Sequence, residues 1–277
     1  MEGWLLVLAA ALAMSVPSLP ARADAPAAPG AGFLGLAVAT SVTQGPDGLT
    51  EVDGIHNAIW SDSFPVTENL KVYTRWSGHG AHMVRVRVVD RSADVTLGDA
   101  EDSIDFGEAP VTWFAHDLSG TSFPAPGTYA VEVSLDGQEV AAYALFVNAE
   151  QEMPEDPAFV ISVPAERGLL DRDGAAKVSG IFEYFSLPSF PGRQSFALVT
   201  VWFSGAGTHR QAAEIANPSG TVIARAPVAT LRAMHGGMTV AANTFDSVSF
   251  PGPGLYTATI YLDDARVLSY PLVIQAR

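Results

Sequence analysis

The sequence has no cysteine, which excludes disulfide bonds, thiolate zinc sites, a cysteine nucleophile and a lipid anchor on cysteine. Basic residues are also scarce: 15 Lys and Arg stand against 30 Asp and Glu, and only Lys71 and Lys177 are lysines. This balance argues against nucleic acid as a partner and against adhesion to anionic membranes. Without disulfides the chain must be stabilised by packing alone, for which its 48% apolar content is sufficient.

Long hydrophobic runs are absent after the N-terminus. Residues 4–16 form an apolar run that is shorter than the ~20 residues of a membrane span. Prolines then end the run, and Ala21-Arg22-Ala23 offers a small-x-small cleavage site, so we predict a signal peptide over 1–23 and a tether over 24–30. The mature chain is then extracytoplasmic, secreted or periplasmic, without a transmembrane helix. Glu2 stands where signal peptides carry a base, and a buried N-terminal helix is the alternative.

The rest of the chain is an internal repeat. A Val-x-Gly-Ile motif at 52–55 returns at 178–181, and Ser-Phe-Pro at 63–65 returns at 189–191, both 126 residues later. After one inserted residue the offset becomes 127, which relates His82 to His209 and Tyr129 to Tyr256. We therefore predict a duplication, with copy one at 31–148, an acidic linker at 149–156 and copy two at 157–277.

Each copy alternates polar and apolar residues with the period of a β-strand. Segments 70–76 and 83–88 alternate in this way, and a final pair of strands is joined through Asp136-Gly137, a hairpin signal. Counting every such run gives about seven or eight short strands per copy, which is typical of a two-sheet sandwich. The sequence thus predicts an all-β protein.

With the strands placed, the chain resembles a bacterial family of immunoglobulin-like β-sandwich domains of unknown function. Copy two carries the family pattern as Arg-Asp-Gly at 172–174, Gly-Ile-Phe at 180–182, Phe-Pro at 190–191, Asn-Pro-Ser-Gly at 217–220, Pro-Gly-Leu-Tyr at 253–256 and Leu-Asp-Asp at 262–264. Copy one keeps Asp-Gly at 47–48 and 136–137 but lacks glycine in its mid-domain turn, 90–93. The resemblance implies two tandem immunoglobulin-like β-sandwich domains and no activity, because the family offers no catalytic residues.

Positions that the two copies share are interpreted as structural. We expect segments 70–76 and 83–88 to pair as a hairpin, with Val72, Thr74 and Trp76 facing the core. At an offset of 127 their counterparts in copy two are Val199, Val201 and Phe203. His82 and His209 recur at the start of a strand, where we expect a turn or edge role, and Tyr129 and Tyr256 are expected as corner tyrosines that tie a strand to a loop.

Positions that differ are the candidates for function. Copy one holds 16 acids and 5 bases, whereas copy two holds 8 acids and 9 bases. The predicted hairpin places a basic ligand-binding face outward: Lys71, Tyr73, Arg75, Arg85 and Arg87. Because Arg75 would lie opposite Arg85, an anion is expected between them, either the chain's own acidic loop at 94–108, an acidic protein surface or an anionic glycan.

Two further features distinguish the copies. The loop at 94–108 holds six acids, of which Asp99, Glu101, Asp102 and Asp105 are candidate calcium ligands, although their spacing fits no EF-hand and a solvated acidic loop is the alternative. Copy two replaces the basic face with apolar residues, and an outward Leu198 and Trp202 predict an interface, unless a loop covers them.

Enzyme signatures are sparse. No serine elbow, P-loop or dinucleotide-binding glycine pattern occurs, and His79, His82 and His116 are the best candidates for a metal site. We therefore expect a non-enzymatic binding or assembly module without a cofactor, whose partner is an acidic protein surface or an anionic glycan and not nucleic acid. A metal-dependent or carboxylate-based hydrolase and a structural spacer without a ligand are the alternatives, and the oligomeric state stays open.

Overall fold

The computed structural model describes residues 31–46, 48–107 and 110–277; the predicted signal peptide and tether lie outside this range. The described residues of copy one form ten strands: β1 (Ala31–Ala39), β2 (Ser41–Gln44), β3 (Thr50–Ile55), β4 (Ala58–Ile59), β5 (Val66–Gly78), β6 (Ala81–Asp90), β7 (Val95–Asp105), β8 (Val111–Phe123), β9 (Gly127–Leu135) and β10 (Gln138–Val147). A short 3-10 helix, Glu150–Glu152, lies in the linker. Copy two contains the other ten: β11 (Ala158–Leu170), β12 (Ala176–Ile181), β13 (Tyr184–Leu187), β14 (Gly192–Phe203), β15 (Gly207–Ala216), β16 (Val222–Arg225), β17 (Ala229–Ala233), β18 (Met238–Phe250), β19 (Gly254–Leu262) and β20 (Ala265–Ala276).

The protein consists of two tandem immunoglobulin-like β-sandwich domains. In copy one, the sheet β1-β5-β8 faces the sheet β4-β10-β9-β6-β7. In copy two, β18-β14-β11-β12 faces β13-β20-β19-β15-β16, with β17 paired to β15. Alternation along each strand sends one set of apolar side chains between the sheets, which builds a separate core in each copy.

The predicted core of copy one is confirmed, but the predicted hairpin is wrong. Val72, Thr74 and Trp76 are fully buried, as are their expected partners on β6. However, β5 pairs with β1 and β8, whereas β6 pairs with β7 and β9 in the opposite sheet. The glycine-containing turn at 77–80 carries the chain across the sandwich, and Gly80 there has a φ of 83° that favours glycine. The two strands therefore face each other through the core.

The turn and corner predictions are confirmed. Tyr129 donates its hydroxyl to the carbonyl oxygen of Ala125 at 2.7 Å, and Tyr256 donates to that of Gly252 at 2.8 Å. Asp136 and Gly137 both have positive φ in the hairpin between β9 and β10. His82 lies at the start of β6, where Nδ1 is 2.7 Å from Asp136 Oδ2, and the same contact recurs between His209 and Asp263.

The two copies are joined by hydrogen bonds between strands as well as by the linker. Strand β3 of copy one pairs antiparallel with β12 of copy two, and β2 continues the ladder. One sheet of six strands, β18-β14-β11-β12-β3-β2, therefore crosses from one copy into the other. A third apolar cluster lies between the copies and includes Ala37, Tyr73, Val163, Val199 and Phe203. Met153 of the linker is buried in it.

Candidate functional site

The predicted basic face is divided between two parts of the structure. Tyr73 and Arg75 lie on the outer face of β5, which packs against copy two, and both are buried. Arg75 Nε is 3.4 Å from Glu183 Oε2, and Arg75 Nη2 donates to the carbonyl oxygen of Phe182 at 3.4 Å. The guanidinium also lies over the ring of Tyr270, 5.7 Å from its centroid. These two residues therefore belong to the interface between the copies.

The other three residues of that face are ion-paired within copy one. Lys71 contacts Asp117 on the neighbouring strand β8, and this contact helps to lower the pKa of Asp117 to about 2. Arg85 Nε donates to Asp99 Oδ1 at 2.8 Å, with a second contact from Nη2, a bidentate arrangement that lowers the pKa of Asp99. Arg87 Nη2 donates to Glu132 Oε2 at 2.8 Å. The chain's own acids therefore supply the predicted anion.

A surplus of negative charge remains on copy one. Its last base, Arg91, contacts Glu132 and Glu139, so each of the five bases of copy one has an acidic partner. Glu101, Asp105 and Asp94 take part in no ion pair within the described ranges. Copy one thus presents free carboxylates and, among the residues described, no free cation.

One concave surface lies on the outer side of β6, β7 and the hairpin of β9 and β10. It is a shallow cavity of about 320 Å³, which we call the β6 face, lined by Met83, Arg85, Arg87, Glu101, Ser134, Gly137 and Glu139. Met83 is 43% exposed although it is large and apolar. The side chains of Arg85 and Arg87 are 47% and 41% exposed beside their carboxylates. The surface therefore combines an apolar contact with charges of both signs.

The predicted acidic loop at 94–108 is largely a strand, β7. Asp99, Glu101 and Asp105 point outward on alternate positions, whereas Asp102 points to the other side and contacts His116. Because a strand alternates its faces, the four predicted calcium ligands do not converge. Within the described ranges, no group of three or more His, Cys, Asp or Glu side chains could hold a metal ion.

The predicted outward pair in copy two lies in the core. Leu198 and Trp202 are buried between the two sheets, and Trp202 Nε1 donates to Gln211 Oε1 at 2.7 Å. Trp202 packs edge-on against Phe159, as Trp76 packs against Phe33, which makes the two tryptophans equivalent at an offset of 126. The inserted residue therefore follows Trp202, and a slip of one residue exchanged the predicted faces. Val199, Val201 and Phe203 of the same strand instead belong to the apolar cluster between the copies.

The three histidines of the alternative metal site are separated. His82 is held by Asp136 and by the carbonyl oxygen of His79. His116 lies in the core of copy one, where Nε2 is 2.9 Å from Thr74 Oγ1 and Nδ1 is 2.7 Å from Asp102 Oδ2. Burial lowers the pKa of His116, although Asp102 opposes the shift.

Asp102, His116 and Thr74 are hydrogen-bonded in sequence, as the acid, histidine and hydroxyl of a hydrolase catalytic triad are. However, Thr74 is fully buried. Its Oγ1 accepts a hydrogen bond from Trp76 Nε1 at 2.9 Å. The Thr74 hydroxyl is therefore shielded from solvent and held in the core by Trp76 and His116.

The residues that sequence reasoning missed lie at the contact between the copies. Lys177 Nζ is 2.6 Å from Glu51 Oε1 and 3.2 Å from Asp53 Oδ2, and Glu183 contacts Arg75. A signal was present, because Glu51 and Lys177 occupy the same place before the repeated Val-x-Gly-Ile motif and carry opposite charges.

A family model described as a family of unknown function (DUF6941) matches residues 35–148 and 164–275. No curated protein matches the chain. Among solved structures, a glycosyl hydrolase family 2 member from Bacteroides cellulosilyticus is similar at 9% identity over 74% of this chain and 26% of that one, with a TM-score of 0.34. Red sea bream transglutaminase is similar at 9% identity over 78% of this chain and 31% of that one, with a TM-score of 0.23. The chain thus spans about a third or less of these structures.

No helix in the described ranges has the length and hydropathy of a membrane span.

Proposed function

Because the chain belongs to this family of unknown function, which supplies no activity, we propose from the geometry that it is an exported, non-enzymatic binding or assembly module. The β6 face of copy one is its contact surface. The observation that carries this proposal is the combination, in one concave surface, of an exposed methionine, two half-exposed arginines and carboxylates. Exposed arginine and methionine are enriched at protein interfaces, which supports a protein partner.

The charge of that partner follows from the ion pairs around the face. An acidic protein surface or an anionic glycan would need free cations, and each base of copy one already contacts an acid. Glu101 takes part in no ion pair within the described residues, although it lies opposite Arg85 across β6 and β7, and copy one as a whole has a net charge of −11 from its 16 acids and 5 bases. We therefore propose a partner with a basic surface, because complementary charge accelerates and orients association.

The test is binding of a fluorescent oligolysine peptide to the mature chain, measured by anisotropy at low and high salt. The Glu101→Gln/Glu139→Gln variant removes two charges that line the face, and Asp173→Asn/Asp246→Asn removes two exposed charges from copy two. We expect the first variant to bind about three- to tenfold more weakly at low salt, with the difference reduced at high salt. The copy two variant should bind like the parent.

A second arm uses a sulfated polysaccharide as an anionic probe. Binding that is lost in Arg85→Glu/Arg87→Glu would contradict the basic partner and support the acidic one expected from sequence, because it would mean that both arginines exchange their carboxylates for the ligand. Binding of neither probe would support the spacer alternative.

A further inference from the structure

The contact between the copies has a local two-fold axis. Strands β3 and β12 occupy equivalent places in the repeat, and they pair antiparallel with Val52 opposite Val178, its own equivalent at an offset of 126. Thr50 lies opposite Ile181, and Ile55 lies opposite Ala176, which is the same pair of positions with the copies exchanged. An interface built from the same positions on both sides is isologous, as in a symmetric dimer.

A second contact near the axis also joins equivalent positions of the two copies. Gly35 pairs with Arg75 on β5, and its equivalent Ile161 pairs with Val201 on β14. Gly35 and Ile161 also meet across the interface, where a Cβ on Gly35 would lie 3.4 Å from Ile161 Cγ1. The backbone of either copy could therefore pair with another of its own kind, so side chains must decide the choice of partner.

The side chains at the strand pair are unlike in the two copies. Copy one carries Glu51 and Asp53, and the equivalent positions of copy two carry Lys177 and Ser179. Lys177 contacts both acids, and Ser179 Oγ donates to Glu51 Oε2 at 2.9 Å. These contacts raise the pKa of Lys177 and lower that of Glu51. Two copies of type one would bring four carboxylates together without a base, and two of type two would bring two lysines together without an acid.

In the more deeply buried part of the interface, the side chains at equivalent positions also differ between the copies and carry complementary charges. Arg75 contacts Glu183 across it, and the equivalents of these residues are Val201 and Asn57. Pairing like with like would bury two guanidinium groups in one case and two carboxylates in the other, each without a countercharge. A buried charge without a partner is strongly unfavourable, and the alternative pairings are thereby excluded.

We propose that these four pairs of equivalent positions, 51/177, 53/179, 57/183 and 75/201, form a charge code for pairing between the two copies of this chain. With these charges, the surface of copy one at the interface between the copies can pair only with a copy that carries the complementary charges. The partner that fits copy one has a base at the position of Glu51 and an acid at the position of Asn57, and in this chain copy two meets both conditions. The interface is thus an intramolecular counterpart of a two-fold dimer in which self-pairing is prevented.

The test reverses the code in the full chain and measures hydrogen exchange of the amides in 50–55 and 176–181. Lys177→Glu leaves three acids at the strand pair, and we expect exchange there to be about tenfold faster or more. The fourfold variant Glu51→Lys/Asp53→Ser/Lys177→Glu/Ser179→Asp exchanges the identities of the copies at the strand pair, positions 51/177 and 53/179, and leaves 57/183 and 75/201 unchanged. Since the axis relates these positions, we expect exchange to return to within about threefold of the parent.

The control is Arg225→Glu, which makes the same charge change at an ion pair with Glu214 away from the interface. It should leave exchange in both segments unchanged. Protection of β9 and β19 reports whether each core stays folded. If Lys177→Glu exchanges like the control, or if the fourfold variant exchanges as fast as Lys177→Glu while both cores stay protected, the code is refuted.

Discussion

The ion pair between Arg75 and Glu183 offers a direct measure of how firmly the copies are joined. Replacing Arg75 with methionine keeps most of the buried volume and removes the charge. Arg75 is 1% exposed and Glu183 is 18% exposed, so the variant leaves a largely buried carboxylate without its countercharge. Breaking a buried pair in this way costs about 3–5 kcal/mol.

The loss of stability here should fall at or just below the lower end of that range. The contact from Nε to Oε2 is long at 3.4 Å, and Arg75 Nη1 and Glu183 Oε1 have no hydrogen-bond partner within the described residues. We therefore expect Arg75→Met to lower the free energy of unfolding by about 2–3 kcal/mol at neutral pH. In a chain of this size, that corresponds to a Tm lower by roughly 5–10 °C.

The loss should depend on pH. Burial raises the pKa of Glu183, and Arg75 opposes that rise, so the variant raises the pKa further. When an acid has a higher pKa in the folded state, the folded state binds more protons between the two pKa values, and stability falls as pH rises through that interval. The penalty of Arg75→Met should therefore be largest above the folded pKa of Glu183 and should shrink as pH falls toward the unfolded value.

Urea unfolding at about pH 7.5 and about pH 5 measures both the size of the loss and its pH dependence. The double variant Arg75→Met/Glu183→Gln removes both charges, and it should recover more than half of the lost stability. Arg225→Met is the control, because Arg225 is 74% exposed and Glu214 keeps its hydrogen bond from the Tyr261 hydroxyl, and it should change stability by less than about 1 kcal/mol. An equal loss at both pH values, or a double variant as unstable as the single one, would refute the reasoning.

Two further predictions concern single side chains. By NMR titration, His82 and His209 should have pKa values above 6.5, because each is hydrogen-bonded to an aspartate. The pKa of His116 should lie below 6.5, because this side chain is buried. Asp136→Asn should lower the pKa of His82 and leave that of His209 unchanged. The stability that His82 gains from Asp136 is present below pH 6.5 and is lost as pH rises through its folded pKa. Trp202→Phe should cost about 1–3 kcal/mol in urea unfolding because it leaves Gln211 Oε1 unsatisfied in the core, whereas an outward Trp202 would make the change nearly neutral.

The sandwich architecture and the duplication could be predicted from sequence because both depend on patterns that repeat. Period two along Leu70 to Trp76 and the Asp-Gly hairpin at 136–137 are local signals, and the structure confirms them. The partner of a strand is not a local property. A turn such as 77–80 can join neighbours in one sheet or cross the sandwich, and alternation along β5 and β6 is the same in both cases.

The interpretation of Trp202 failed for a different reason. Trp76 and Trp202 are 126 residues apart, and Ser77 and Ser204 are 127 apart, so the extra residue of copy two is Phe203. Placing the insertion before the strand instead of after Trp202 shifts the register of β14 by one. Because the period is two, that shift moves each side chain to the opposite face. The pattern therefore predicts an apolar interface at Leu198 and Trp202, whereas Val199, Val201 and Phe203 are the residues of β14 that join the cluster between the copies.

The contact between the copies also determines which charges are left for a partner. Glu183 of copy two pairs with Arg75 of copy one, and Lys177 of copy two pairs with Glu51 and Asp53 of copy one. One base of each copy is therefore paired with acids of the other. The net charge of copy one is unchanged by these contacts, but Arg75, which is buried at the interface, is no longer available to a ligand. Lys71, Arg85, Arg87 and Arg91 are each held by carboxylates of copy one itself. An anionic partner would have to displace those carboxylates. A cationic partner would instead meet Glu101 at the β6 face, which forms no ion pair within the described residues, and this difference favours the cationic partner.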